Sequence, residues 1–244
     1  MKHRLPLSLA GLCAILLAWP PTLLAQEEPS AKLTVGHYRY RGGGLEAYSG
    51  QDVNLRWRVR EANAWVGVYR DRVFGSQTRA GVDTSLDLVD GVSLQPSLQA
   101  ATRGFLGGSV NLTAGRTWYA LVGWGRTNLK PYFNLNFDPN DAVTAGVGWR
   151  GEGGRNLMAY VVADDRLGTR QRSTHLFMRW PMSEGLRLTL DLTRKTGRGD
   201  DGEVNARGLT ATLDWPTWFV RLGRDPRQNF TAQDATRVAA GVRF

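Results

Sequence analysis

Cysteine is all but missing: Cys13 is the only one in 244 residues. It falls inside a stretch that reads as a secretory signal, residues 1–25. Lys2, His3 and Arg4 form a basic start, Leu5 to Leu17 an apolar core, and Leu23, Leu24 and Ala25 a cleavage site before Gln26. Leu12 occupies the position where lipid attachment to Cys13 would want a small residue, which argues against a lipoprotein. If Cys13 leaves with the signal, the folded part, residues 26–244, has neither a disulfide framework nor a thiolate metal site. Long apolar runs are missing too. Nothing after the signal approaches the roughly 18 consecutive apolar residues of a membrane helix, so a membrane crossing would have to use strands.

Lysine is scarce as well. Lys2, Lys32, Lys130 and Lys195 are the only four, so nearly all of the positive charge, a formal +9, is arginine. Removing the signal takes away Lys2 and Arg4 and no acid, lowering that charge by two. The bases are spread along the chain rather than clustered, which excludes a nucleic-acid-binding patch. Asp138, Asn140 and Asp141 lack a calcium-loop spacing, and the glycines follow turns and strand phase rather than a nucleotide-binding pattern. No cofactor and no metal site is expected.

What is present is alternation. Residues 51–60 put Val53, Leu55, Trp57 and Val59 in one phase and Asn54, Arg56, Arg58 and Arg60 in the other. Residues 78–88, 92–101, 105–114 and 185–193 repeat the pattern, the last with Leu186, Leu188, Leu190 and Leu192 against Arg187, Thr189, Asp191 and Thr193. With less regular segments, 14 strands are predicted, most about 9–11 residues long, enough to cross an outer membrane when tilted; twelve is the alternative count. Residues 63–71 and 156–164 are apolar in both phases and leave their faces open. Pro96 sits awkwardly inside a strand, because it removes a ladder hydrogen bond.

The last strand is the most telling. Val238, Ala240, Val242 and Phe244 share one phase; Arg237, Ala239, Gly241 and Arg243 share the other; and the chain stops on the aromatic residue. In this it resembles the class of Gram-negative outer-membrane β-barrel proteins, whose terminal strand and final Phe are recognised by the barrel-assembly machinery. The resemblance implies an all-β, antiparallel transmembrane β-barrel in the outer membrane, with lipid and lipopolysaccharide around it. Val238, Ala240, Val242 and Phe244 would be the assembly signal.

Such barrels have short periplasmic turns and longer external loops. With both termini periplasmic, the expected short connections are 61–62, 89–91, 115–116, 151–155, 181–184 and 216–217. The expected external ones are 42–50, 72–77, 102–104, 127–140, 165–171, 195–202 and 225–233. Trp118, Trp149, Trp180, Trp215 and Trp218 all fall at the periplasmic end in the apolar phase, as an interfacial girdle would.

Function rests on the wet phase. It carries Arg56, Arg58, Arg79, Asp83, Asp87, Arg150, His175, Arg179, Arg187, Asp191, Asp214, Arg221, Arg237 and Arg243. The candidate solute-binding set is Arg56, Arg58, Arg79, Asp83, Arg150, Arg179, Arg187, Asp191, Arg221 and Arg237. One reading is a passive channel whose arginine-biased wall favours small anionic solutes. The other is that arginines and aspartates pair across strands and stiffen the wall of a non-transporting barrel, an anchor or partner of an envelope or exopolysaccharide system. Fourteen strands leave an aqueous lumen unless something fills it. The apolar loop 127–140, with Tyr132, Phe133, Leu135 and Phe137, could fold inward, extend the neighbouring strands, or bind lipopolysaccharide or a partner. In size and arginine content the chain resembles the small porins for oligogalacturonate and related acidic sugars, a twelve-stranded family. No catalytic set emerges: Ser173 and His175 share a face, but the residue two after the histidine, where the barrel phospholipases have serine, is Phe177. The expectation is a protein that is not an enzyme.

Overall fold

The computed structural model describes residues 30–136 and 138–244; the expected signal, residues 1–25, lies outside them. Fifteen strand segments run in one antiparallel sheet. They are β1 (Ala31–Gly42), β2 (Leu45–Val59), β3 (Ala62–Asp71), β4 (Ser76–Thr84), β5 (Leu86–Val89), β6 (Val92–Ala101), β7 (Phe105–Gly115) and β8 (Trp118–Thr127). There follow β9 (Ala142–Gly151), β10 (Arg155–Asp164), β11 (Arg172–Ser183), β12 (Leu186–Gly199), β13 (Gly202–Asp214), β14 (Trp218–Asp225) and β15 (Gln233–Arg243). Each strand pairs with its chain neighbours. β1 pairs with β15 from Lys32↔Arg243 to Gly42↔Gln233, and the sheet closes into a barrel. β4 and β5 are one stave interrupted at Ser85, so the barrel has 14 strands.

That interruption accounts for Pro96. The β4–β6 ladder ends at Asp83↔Ser97 and β5 resumes at Leu86↔Leu94, so the proline lies opposite the gap. Its missing N–H costs a bond only where the ladder is already open. On its other side Pro96 stays in register with Val110.

The period of two sorts the residues. On the outer face stand Val53, Val82, Leu98, Leu106, Val122, Val147, Leu176, Leu192, Leu209, Leu222 and Val238, all largely exposed. A belt of this extent would be a severe liability in water and suits a lipid surround. At the end that holds the termini, Trp118 pairs with Trp149, Trp180 lies beside Leu188, and the rings of Trp215 and Trp218 stack at 3.8 Å.

The strands that are apolar in both phases now have faces. Trp65 and Tyr69 in β3 and Tyr160 in β10 point inward, leaving Val66, Val68, Ala159 and Val161 outside. Inward aromatics are accommodated by inward glycines on the neighbouring strand. Tyr119 is in register with Gly148 and Phe219 with Gly241, and a Cβ on either glycine would collide with the ring. The rings lie along the wall instead of across the lumen.

Two expected external loops are not loops. Residues 42–50 become a hairpin turning at Gly43 and Gly44, and 195–202 one turning at Asp200 and Asp201, with β1, β2, β12 and β13 extended to meet them. Gly43 and Gly44 both have positive φ, +68 and +70, the geometry of a tight two-residue hairpin turn. The contrast in connection length is therefore narrower than expected: at the loop end, only 128–141, 165–171 and 226–232 clearly exceed the turns at the terminal end.

Candidate functional site: a lumen crossed by an inward loop

Between β8 and β9 the chain leaves the wall and folds into the barrel. Its stem is fixed by Asp141, which is buried. Its carboxylate accepts from the Thr127 hydroxyl at 2.6 Å, the Thr127 N–H at 3.2 Å and the Arg166 guanidinium at 2.8 Å. Beside it Arg126 grips Asp165 with two hydrogen bonds of 2.7 Å, which holds the Asp165 carboxyl below its usual range.

The loop then knots on itself. Asn134 donates to the Asp138 carbonyl at 2.6 Å and to Asn140 at 3.0 Å, and accepts from the Asn136 N–H at 2.8 Å. From this knot contacts radiate to several walls. On β4, Gln77 accepts from the Phe133 N–H at 2.9 Å and donates to its carbonyl at 3.3 Å, as a strand partner would. Tyr132 stacks on Phe105 at 4.0 Å and reaches Gln99 of β6 at 3.2 Å. Asn229, from the 226–232 connection, donates to the Asn134 carbonyl at 3.0 Å. On β11, His175 Nε2 lies 3.0 Å from Asp138 Oδ1.

The apolar side chains explain why the loop goes in. Phe133 stacks on Tyr69 at 4.3 Å, and Leu135 is buried with Tyr38, Tyr40, Tyr48, Tyr69 and Ala235. Burying Leu135 contributes roughly 1.5–3 kcal/mol and the partly buried Phe133 adds less, which together help offset the ordering of the loop. The phenols are satisfied in place: Tyr69 Oη lies 2.9 Å from Tyr40 Oη and 2.6 Å from Asp71. Phe137 lies outside the described residues.

The loop separates two cavities. One, about 440 Å³, is walled by β1–β4, β6, β7, β14 and β15 and lined by Lys32, Arg56, Arg79, Arg221 and Arg237 among its bases and Asp52 and Asp83 as its acids. The other, about 360 Å³, faces β10–β15 and includes Asp138, His175, Asp191, Lys195 and Asp225. Arg221, Arg237, Leu135 and Asn136 belong to both. Several charges pair across the wall: Arg79 with Asp52 at 2.6 Å, Arg56 with Asp83 at 3.1 Å, and Lys195 with Asp225 at 2.5 Å. His175 sits between two carboxylates, with Asp191 2.9 Å from Nδ1, and Tyr160 stacks flat on its ring at 4.4 Å. Both contacts are hydrogen bonds only when both ring nitrogens carry a proton.

Of the residues singled out from sequence, the cavities bring together Arg56, Arg79, Asp83, Asp191, Arg221 and Arg237. Arg58, Arg150, Arg179 and Arg187 do not join them. Arg58 is in register with Asn63 near the terminal end, Arg150 covers the Tyr119 ring, Arg179 lies over Phe177, and Arg187 shares Asp214 with Arg243. Asp87 lies exposed on β5. Sequence reasoning missed Asp52, Lys195, Asp225 and the tyrosine cluster, although the alternation placed Asp52 in phase with Arg56; Lys195 fell in the expected loop 195–202 because β12 runs on to Gly199.

No family model and no curated protein matches the sequence. Solved structures match over most of the chain. The outer membrane protein Omp33 of Acinetobacter baumannii covers 89% of this chain and 99% of its own, with 9% identity and a TM-score of 0.55. The NanC porin covers 87% and 100%, with 9% identity and a TM-score of 0.49; a KdgM porin covers 87% and 99%, with 11% identity and a TM-score of 0.46. The chain thus shares the closed antiparallel barrel fold of the outer membrane protein Omp33.

Proposed function

We propose that the chain is an integral outer-membrane barrel, exported by its signal and oriented with both termini in the periplasm, and that it acts as a passive channel favouring small anionic solutes. The observation that carries this reading is the charge of the larger cavity, where Lys32, Arg56, Arg79, Arg221 and Arg237 face only Asp52 and Asp83. Carboxylate partners face Arg56 and Arg79, and the cavity as a whole keeps more bases than acids in its lining. A lumen with such an excess raises the local concentration of anions and opposes cations. Arginine also suits the planar carboxylates of acidic sugars. The outer apolar belt and the terminal-end tryptophans support the membrane setting.

Refolded protein in a planar bilayer under a potassium chloride gradient tests this. The reversal potential should report anion preference, and Arg221→Gln with Arg237→Gln should abolish most of it. Cation preference in the wild type would overturn the reading. A second reading, a non-transporting barrel, is favoured by the loop's fastening to β4, β6 and β11. Absence of any conductance would select it.

A further inference from the structure

The outer face carries a second basic feature that the lumen does not use. In register, Arg194 of β12 stands directly opposite Arg207 of β13, and both are exposed on the outward side. Like charges placed directly opposite in a sheet pair repel and destabilise it. Neither makes an ion pair among the described residues. Arg172 of β11, two positions along from Thr174, the residue opposite Arg194, is also outward, exposed and without an ion pair among the described residues. The acids nearby are engaged: Glu203 with Arg170 at 3.3 Å and Asp234 with Arg224 at 3.9 Å.

Position gives this cluster its meaning. One outward step toward the barrel's middle, Leu192 is in register with Leu209 and with Leu176, all three prominently exposed, and the apolar belt begins. The arginines therefore mark the level where a lipid surround gives way to headgroups, on the loop-end side. A ligand that relieves the Arg194–Arg207 repulsion must bring negative charge to the outer wall. To reach it there it must also tolerate the leucine strip below.

We infer that Arg172, Arg194 and Arg207 form a docking site for the phosphorylated headgroup of a lipid of the outer leaflet, with its acyl chains against Leu176, Leu192 and Leu209. Guanidinium groups grip phosphate with paired, charge-assisted hydrogen bonds, and Thr174, Thr196 and Asn205 on the same outward face supply further polar groups. The site does not depend on whether the lumen conducts, but it rests on the membrane setting and orientation proposed above.

The test uses the full-length barrel refolded in a neutral detergent and titrated with bisphosphorylated lipid A, with bound lipid counted by native mass spectrometry. Arg194→Gln with Arg207→Gln should weaken binding roughly tenfold, whereas the double lysine variant should keep most of it. Heat-modifiable gel mobility verifies that both variants fold. Equal affinity of wild type and the glutamine variant would overturn the proposal. So would displacement of the lipid by millimolar inorganic phosphate, which would mark a free-anion site, or equal binding of an uncharged lipid.

Discussion

His175 Nε2 and Asp138 Oδ1 lie 3.0 Å apart and join the barrel wall to the loop that crosses its lumen. A hydrogen bond between charged groups contributes about 1.5–3 kcal/mol. Asp138→Asn, which weakens the bond without changing the side chain's size, should shift the loop from docked toward released on the order of tenfold or more. Single-channel recordings should show longer or more frequent high-conductance periods. Unchanged recordings would mean that Gln77, Tyr132 and Leu135 hold the loop without it.

Arg79 and Asp52 are both buried, at 8% and 9% side-chain exposure, in a wall otherwise open to water. Asp52→Asn leaves the guanidinium without its counter-charge and should destabilise the barrel by about 3–5 kcal/mol. Adding Arg79→Gln should restore part of that loss. Urea unfolding in detergent, followed by tryptophan fluorescence, measures both; an additive double variant would refute the coupling.

Gly148→Val should push the Tyr119 ring off the wall and into the lumen, since a Cβ has no room beneath it. Overpacking of this kind costs typically 1–3 kcal/mol. Both stability and conductance should fall, whereas Gly154→Ala, at a turn with open space around it, should leave conductance unchanged.

Neighbouring residues on β6 should answer the same substitution in opposite ways. Leu98 faces outward and is 62% exposed, while Ser97 faces Ser109 inside at 2.8 Å. Leu98→Arg near the bilayer middle should cost about 2–4 kcal/mol. Ser97→Arg should fold and raise anion preference. Equal destabilisation would contradict the assignment of faces.

Deleting Phe244 should slow assembly, because its backbone exchanges hydrogen bonds with Ala31 at 2.8 and 3.0 Å and its ring is exposed beside the closing strand. Arg237→Gln should assemble at the normal rate and change only selectivity. Heat-modifiable mobility after refolding into vesicles, followed over time, distinguishes the two.

How far these features were legible in the sequence depended on their range. Strand phase is a local property, so the strands and the faces of Val53, Leu98 and Val238 follow from periodicity, whereas closure into a barrel rests on the resemblance that the terminal strand and Phe244 carry. The faces of β3 and β10 do not follow from periodicity, because Trp65, Tyr69 and Tyr160 are apolar yet point inward, where glycines on the adjoining strands make room for Trp65 and Tyr160. Seeing that requires the register. Loop 128–141 was equally ambiguous: Phe133 and Leu135 demand burial, but only the tyrosines of β1, β2 and β3 determine where it is found. The hairpins at Gly43 and at Asp200 look like loops in the sequence because glycine and aspartate punctuate both.

The closing ladder between β1 and β15 joins the first and the last of the described strands, so it is the last strand pairing that synthesis can deliver. Every earlier hairpin forms between sequence neighbours, yet until the final strand arrives the growing sheet has two bare edges. For this protein maturity is thus a single topological event: a ribbon able to add any foreign strand becomes a ring able to add none.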